Sequence, residues 1–331
     1  MEKQGYDSIV GYKEIKAMLK RTAQKERGFN AYIFNGEKGC GKGSMARLFA
    51  MAMLCEKHTG EPCMVCPSCK KALSNNNPDI IVIRHEKEGS IGVDEVRRQL
   101  VDDISIRPFE SKYKIYIVPD ASLMTIQAQN AILKTLEEPP QYAIIILLAD
   151  NMDAFLPTII SRCYTINFNP LSDSVVEEYL KSDLQISDYY AKIYAALAMG
   201  KIGTAIKIAS SEEFTKKLQE SIQILRNSKG MENFERVEIT KRIASNKSEI
   251  FDYLDVFTIW FRDVLYYKAT RDNVSVVLKE ERSAIKKRAE VSSYEGIQKI
   301  LEAIDTARTR LNANVNPELV LELLFLTMSD N

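Results

Sequence analysis

The chain has 331 residues, 45% of them hydrophobic and 27% charged, a balance typical of globular proteins and not of disordered ones. The charges of its 45 basic and 45 acidic residues cancel. This argues against DNA binding by the isolated chain, because proteins that bind DNA without a partner usually carry an excess of basic residues. No apolar run approaches the roughly 18 residues that span a bilayer, and the N-terminal segment lacks the apolar core of a signal peptide. We therefore expect a cytoplasmic chain without a membrane partner.

Short apolar runs alternate with helical patterns through the first half of the chain. In chain order, the pattern predicts strand 31–35, helix 42–55, strand 79–84, helix 92–104, strand 112–118, helix 125–136, strand 141–149 and strand 164–168. This alternation is typical of an α/β fold in which helices cover a parallel sheet, and ligands in such sheets bind at the carboxyl ends of the strands. After Phe168 only helical patterns follow. We therefore predict three domains: residues 1–168 as an α/β domain, 169–210 as a small helical domain and 211–331 as a second helical domain.

The loop after the first predicted strand has the spacing of a phosphate-binding loop. Three glycines allow its backbone to turn N–H groups toward phosphate oxygens: Gly36, Gly39 and Gly41. Lys42 adds a positive charge at the β and γ phosphates, but the next position, which usually carries a hydroxyl group for Mg²⁺, is Gly43. The strand before the loop and the helix after it favour a true P-loop over a simple glycine-rich turn. Nucleotide binding is nevertheless expected to be weak or absent.

A second departure from an active nucleotide site follows the third predicted strand. P-loop hydrolases usually place an Asp there, often followed by a Glu, to hold Mg²⁺ and to position the attacking water. This chain has Asp120 followed by Ala121. Asp120 is either a metal carboxylate or a helix-capping residue, and the water-positioning acid is missing from its expected place.

Four of the six cysteines fall within one short segment with the spacing C-x7-C-x2-C-x2-C: Cys55, Cys63, Cys66 and Cys69. Four thiolates at such spacing can close a tetrahedral Zn²⁺ site, so we predict a structural zinc ion. An iron–sulfur cluster and four unconnected thiols are the alternatives, and His58 in the same loop is an alternative ligand. Cys40 and Cys163 are predicted to be packed side chains.

Arg162 lies in a Ser-Arg-Cys segment just before the last predicted strand, so we expect it near an edge of the sheet. Two interpretations stay open at this point. Most arginines are ordinary surface charges, whereas an arginine finger reaches the nucleotide of another subunit and stabilises charge on the transferring phosphate.

Taken together and in order, several segments resemble bacterial DNA polymerase III clamp-loader subunits, which are AAA+ proteins. They are VGYKEIKAMLK, AYIFNGEKGCGKGS, the four-cysteine insert, NAILKTLEEPP, LPTIISRC and NANVNPELVLELL. The resemblance covers nearly the whole chain and implies an AAA+ P-loop domain, a small helical lid and a helical collar through which subunits assemble. It also implies zinc at the four cysteines.

Two kinds of subunit share this plan: a gamma/tau motor that hydrolyses ATP, and a delta-prime stator that donates its Ser-Arg-Cys arginine to a neighbouring motor. The chain departs from the motor pattern at Gly43, at Ala121 and at Gly203, which stands where the sensor arginine of the motor would fall, and it ends just after the collar segment. The resemblance therefore implies a stator without ATPase activity, with Arg162 acting in trans. Its implied partners are the gamma/tau and delta subunits and, through the complex, the sliding clamp and primed DNA. An active motor ATPase and a zinc-dependent DNA-binding module are the alternatives.

Overall fold

The structure, a computed structural model, describes residues 4–25, 28–84, 89–247, 249–271 and 275–331. The chain divides into two compact units. The first comprises Met1–Val175 with Lys201–Gly203, and the second comprises Val176–Gly200 with Thr204–Asn331. The three-domain division of the sequence analysis stays a prediction.

The first unit is built on a parallel sheet. Its strands are β1 (Ala31–Asn35), β2 (Ile80–Val82), β3 (Lys114–Val118), β4 (Ala143–Ala149) and β5 (Tyr164–Asn167), in the order β2-β3-β4-β1-β5. All neighbouring strands pair in parallel. The central strands are almost wholly apolar because both faces of the sheet are covered, whereas on the edge strand β5 only Ile166 is buried. The predicted α/β fold is confirmed.

Helices cover both faces of this sheet. They are α1 (Lys13–Lys25), α2 (Lys42–Met53), α3 (Pro67–Leu73), α4 (Val93–Val96), α5 (Ile126–Glu137) and α6 (Pro157–Ile160). On one face Phe34 packs in a cluster with Leu19 and Phe49 of α1 and α2. On the other face Ile33 packs in a cluster with Ile132 of α5 and Ile159 of α6. Because successive strand residues point to opposite faces, β1 contributes to both clusters.

Two helical segments differ from their predictions. The helix expected at 92–104 ends as α4 at Val96 and continues as a π-helical turn, Arg97–Val101, although Leu100 and Ile104 are buried as the pattern indicated. The short helix α3 was not predicted, since its seven residues carry no repeated apolar stripe. It begins with Pro67 in the first turn, where a missing N–H costs nothing.

After the sheet, the described residues form helices only. These are α7 (Asp173–Ser182), α8 (Asp188–Ala198), α9 (Ile202–Ala209), α10 (Glu212–Asn227), α11 (Asn233–Ala244), α12 (Ile250–Thr270), α13 (Arg282–Val291), α14 (Tyr294–Asn312) and α15 (Pro317–Asp330). On α12 the aromatic residues Phe257, Trp260 and Phe261 are buried in the core. No helix in the described part of the chain is long and apolar enough to cross a membrane.

Helix α15 is apolar around most of its circumference, and only part of that surface is buried. Val320 and Leu324 are 3% and 2% exposed. Leu319, Leu323 and Leu326 are 54%, 43% and 40% exposed. The helix therefore carries two apolar faces, one turned into the core of its own unit and one turned to solvent.

Candidate functional site

The predicted P-loop connects β1 to α2 at the carboxyl end of the sheet, in the strand–loop–helix context expected from the sequence. The N–H of Gly36 donates to the Ala149 carbonyl oxygen at 3.0 Å, and an added Cβ at Gly36 would lie 2.6 Å from the Phe168 carbonyl oxygen. Gly39 and Gly41 have φ angles of 94° and 88°, which side chains disfavour. The backbone of this loop thus requires all three glycines, whether or not a nucleotide binds.

Lys42, at the start of α2, turns its ammonium group back into the loop. Its Nζ donates to the carbonyl oxygens of Gly36 at 2.7 Å and Glu37 at 3.3 Å. Burial lowers the pKa of this ammonium group. The charge that would contact phosphate is therefore satisfied by the loop itself.

The missing hydroxyl at position 43 has no steric cause. The nearest atom to an added Cβ at Gly43 is Cδ1 of Leu148, at 3.8 Å, which is ordinary van der Waals contact. A serine or threonine would therefore fit, and the loop lacks the Mg²⁺ ligand although there is room for it.

The end of β3 explains the second departure. Asp120 takes a left-handed conformation, φ 47°, and its side chain does not cap the short turn Ala121–Leu123 that follows. The capping interpretation of Asp120 is thus not supported for its side chain, and the metal-carboxylate interpretation stays a prediction. Ala121 is fully buried in the core. A glutamate at that position would have to displace core side chains, so position 121 is a packing position.

The turn around Gly203 lies directly on the P-loop within the first unit. The N–H of Gly203 donates to the Gly39 carbonyl oxygen at 2.8 Å, and an added Cβ at Gly203 would lie 3.0 Å from that oxygen. Lys201 forms an ion pair with Glu37 at 3.2 Å. The turn at Gly203 therefore brings its backbone against the backbone of the P-loop.

The predicted metal ligands lie together: the Sγ atoms of Cys55, Cys63, Cys66 and Cys69 are all within 4.8 Å of one another. Backbone N–H groups point at three of them. The N–H of Cys63 donates to Sγ of Cys55 at 3.4 Å, that of Cys66 to Sγ of Cys63 at 3.3 Å, and that of Cys69 to Sγ of Cys66 at 3.4 Å. Such bonds stabilise thiolates and orient them toward a shared cation. His58 lies outside this cluster.

Three of these thiols, Cys55, Cys63 and Cys69, have shifted pKa values. Burial raises the pKa of Cys55 and of Cys69. At Cys63 burial acts in the same direction, but hydrogen bonds from the backbone N–H groups of Val65 and Cys66 and from the side chains of Cys55 and Cys66 together lower the pKa to about 6. A bound cation favours the thiolate form of all four, since ligation replaces their protons. The donor set fits a closed, four-coordinate metal site.

Arg162 follows α6 and precedes the edge strand β5, as the sequence predicted. Its Nη2 lies 2.8 Å from Oε1 of Glu137, and its Nη1 donates to the Thr158 carbonyl oxygen at 2.9 Å and to Oγ of Ser161 at 3.3 Å. About a third of the side chain is exposed. The contact with Glu137 was not predicted, because it joins two segments that are distant in the chain.

Arg162 and the P-loop lie at opposite ends of neighbouring parallel strands. Tyr164 of β5 is level with Tyr32 of β1, so Arg162 lies two residues before this level and Gly36 lies four residues after it. At about 3.3 Å of rise per residue, the separation along the strands is roughly 20 Å. The guanidinium therefore cannot reach a nucleotide in its own P-loop.

The remaining two cysteines are packed side chains, as predicted. Cys40, which lies within the P-loop between Gly39 and Gly41, is completely buried. Cys163 is partly buried and packs against the core on the α5 and α6 face of the sheet, where burial raises its pKa to about 12. Neither has the lowered pKa of a reactive thiol.

Comparison with known proteins gives matches along most of the chain. Residues 11–172 match the family described as DNA polymerase III, delta subunit, and residues 212–330 match the C-terminal family of the same description. The chain is 28% identical to DNA polymerase III subunit delta' of Bacillus subtilis over 320 residues, which is 96% of this chain and 95% of that protein. It is 32% identical to the tau subunit of the same organism over 211 residues, 62% of this chain but only 37% of that protein.

A solved structure supports the fold. The gamma subunit-related protein of Thermotoga maritima has a TM-score of 0.51 and 22% identity, over 95% of this chain and 98% of that one. The near-full-length likeness to a delta' subunit distinguishes the chain from the tau relative, which it matches over a smaller part. The chain belongs to the DNA polymerase III clamp-loader family, and within it to the delta-prime subunits.

Proposed function

We propose that this delta-prime subunit is a non-hydrolysing stator that donates Arg162 to ATP bound by a neighbouring motor subunit. The observation that carries the proposal is the position of Arg162, which lies about 20 Å along the strands from its own P-loop. An arginine finger that cannot reach its own site and lies partly exposed at the edge strand is suited to a nucleotide in trans. The finger would stabilise charge on the transferring phosphate of the motor subunit.

The geometry of its own P-loop supports the absence of hydrolysis. Gly43 removes the hydroxyl ligand of Mg²⁺, and Ala121 removes the acid that positions water. The N–H of Gly203 donates to the Gly39 carbonyl oxygen, so the backbone of that turn lies against the loop. Hydrolysis would require several of these changes to be reversed together.

We propose that the four cysteines bind one structural Zn²⁺. Four thiolate ligands complete a tetrahedral shell and leave no position open for water or substrate, so the ion would stabilise the insert rather than catalyse a reaction. The nearby buried cluster is small, consisting of Met51, Ala72 and three of the cysteines. Zinc would therefore replace the larger core that this segment lacks.

We propose that the subunit assembles through its C-terminal helices with gamma/tau motor subunits and a delta subunit, in the cytoplasm. The exposed apolar face of α15, formed by Leu319, Leu323 and Leu326, provides a surface for such an assembly. The sliding clamp and primed DNA would be reached through the complex.

Two measurements on the isolated chain test the first half of the proposal. We expect ATP turnover at background level, and no change when Lys42 is replaced by alanine. Robust turnover that disappears in Lys42→Ala would instead favour an active motor, as would tight Mg²⁺-dependent binding of a fluorescent ATP analogue. Salt-sensitive DNA binding by the isolated chain would favour the zinc-dependent DNA-binding module.

The trans role is tested in the complex reconstituted with the gamma/tau and delta subunits of the same organism. Arg162→Ala should lower clamp-dependent ATP turnover by about 10³-fold or more at the site it completes. Arg21→Ala, which removes an exposed arginine from α1, is the matched control and should leave turnover unchanged. Unchanged turnover in Arg162→Ala would exclude the finger role.

A further inference from the structure

We propose that Glu137 is a positioning residue that orients the guanidinium of Arg162 toward the nucleotide of the neighbouring subunit. The inference rests on the proposed function of Arg162 and concerns a residue to which the sequence analysis assigned no role. The observation behind it is the ion pair between Oε1 of Glu137 and Nη2 of Arg162, at 2.8 Å.

The location of Glu137 is unfavourable for a carboxylate unless a cation lies beside it. Glu137 is the last residue of α5, where the carbonyl oxygens of the helix end concentrate partial negative charge. An acid at this end is destabilised by the helix dipole, and a neighbouring guanidinium reverses the sign of that interaction. The pair with Arg162 offsets this unfavourable interaction.

The two partners sit on segments that are fixed to each other. Gln129 of α5 is 1% exposed, and its Nε2 donates to the carbonyl oxygen of Ala154 at 2.8 Å. The N–H of Leu156 donates to Oε1 of Gln129 at 2.8 Å. This buried amide ties α5 to the segment that leads into α6 and Arg162. Because the scaffold is fixed, the ion pair sets the direction of the side chain rather than joining two loose segments.

The contacts hold only part of the guanidinium. An arginine has five N–H donors in a fixed fork. Among the described residues, the contacts of Arg162 engage Nη1, with Thr158 and Ser161, and Nη2, with Glu137. None of these contacts with described residues engages Nε of Arg162, so this donor is available to a phosphate oxygen. The arrangement therefore orients the finger without occupying all of its donors.

The strength of the pair suits an orienting role. Glu137 is about half exposed and Arg162 about a third exposed, and ion pairs of this exposure are weak because water screens them. A phosphate group of higher charge can therefore share or displace the carboxylate without a large penalty. From this weakness we expect loss of Glu137 to lower kcat by about two- to fivefold, far less than loss of the finger.

The test uses the reconstituted complex and separates kcat from KM for ATP. Glu137→Ala should lower kcat about two- to fivefold, with KM and complex assembly unchanged, because the finger acts mainly in the transition state. Glu137→Gln should restore most of the loss, since its amide oxygen still accepts from Nη2. Glu138→Gln is the matched control: it removes the same charge one residue along the chain, and the ion pair of Arg162 runs to Glu137.

Combination with Arg162→Ala distinguishes the possible failures. In that background Glu137→Ala should have no further effect on kcat, because no finger is left to orient. A further fall would overturn the inference, as would a normal kcat in Glu137→Ala when Arg162→Ala alone is strongly impaired. If Arg162→Ala itself is as active as the unmodified complex, the proposed function fails, and the positioning role fails with it.

Discussion

The four-cysteine cluster gives the most quantitative prediction. Replacing Cys69 by serine removes one of four ligands at a fully buried position. With a Zn–S bond of about 2.3 Å, the sulfur atoms of a tetrahedral zinc site lie about 3.8 Å apart. The Sγ atoms of this chain already lie within 4.8 Å of one another, so metal binding requires each to move by about 1 Å or less. The site is therefore preorganised, and the loss of one ligand should lower the zinc affinity by nearly the full contribution of that ligand.

The expected loss of affinity follows from the energy of structural zinc sites. Zinc binding by four ligands contributes about 10–16 kcal/mol, or roughly 3–4 kcal/mol for each ligand. Cys69→Ser should therefore weaken zinc binding by about 10²- to 10³-fold. At free zinc near 100 times the dissociation constant of the unmodified site, binding stabilises the fold by about 2.7 kcal/mol. For a compact unit of this size, that corresponds to a rise in Tm of about 5–10 °C.

The assay combines metal analysis with thermal unfolding. The unmodified chain should carry one zinc ion per molecule and lose about 5–10 °C of Tm when a strong chelator removes it. Cys69→Ser should carry less zinc and unfold near the temperature of the chelated protein. Cys163→Ser is the matched control, because it replaces a partly buried cysteine outside the cluster and should keep both its zinc and its response to chelator.

Three results would each exclude a structural zinc ion at these four cysteines. A chain purified under reducing conditions that contains no zinc, and whose Tm neither falls with chelator nor rises with added zinc, would show that the cluster is not a zinc site. Stoichiometric iron with visible absorption would instead support the iron–sulfur alternative. Equal zinc content in Cys69→Ser and the unmodified chain would place the ion elsewhere.

Three further predictions follow from the same structure. Gly43→Thr should fold with an unchanged Tm, since an added Cβ meets only Leu148 at 3.8 Å. Its ATP turnover should stay at background level, because the acid that positions water is still missing at position 121. Measurable turnover would show that the hydroxyl group at position 43 alone restores hydrolysis. Gln129→Leu should lower the free energy of unfolding by about 2–4 kcal/mol in denaturant titration. One buried and two partly buried backbone groups lose their partner: the carbonyl oxygens of Met124 and Ala154 and the N–H of Leu156. Leu323→Asp should change the free energy of unfolding by less than about 0.5 kcal/mol, since the residue is on the surface. It should nevertheless weaken assembly with the motor subunits at least about tenfold, as measured by light scattering. Normal assembly would exclude this face of α15 as the interface.

The sheet was predictable because its central strands are almost wholly apolar. In β3 and β4 every residue is buried. Such strands can be recognised from their apolar run alone, without an alternating pattern and without knowledge of the neighbouring strands. The irregular elements were not predictable to the same extent. The π-helical turn Arg97–Val101 keeps an apolar face that looks like an ordinary helix, and the seven residues of α3 are too few to show a period.

The candidate sites also differ in how far the sequence alone could predict them. The metal cluster and the P-loop are local in sequence, so their spacing identified them directly. The pair of Glu137 with Arg162 is not local: it depends on how α5 and α6 pack, and that in turn depends on the buried amide of Gln129. The sequence contained both residues but no signal that joined them.

The P-loop shows why a retained motif is weak evidence for retained chemistry. Its glycines are fixed by the fold: a side chain at Gly36 would collide with Phe168, and Gly39 has a φ of 94° and accepts a hydrogen bond from Gly203. These positions would stay glycine after nucleotide hydrolysis was lost. Position 43 has room for a side chain, position 121 is packed into the core, and Gly203 lies against the loop backbone. A working site is therefore expected to differ from a structural one at these positions rather than at the glycines of the loop. The loop that most resembles an active site therefore maintains the fold, while the expected chemistry lies at Arg162, at the other end of the neighbouring strand.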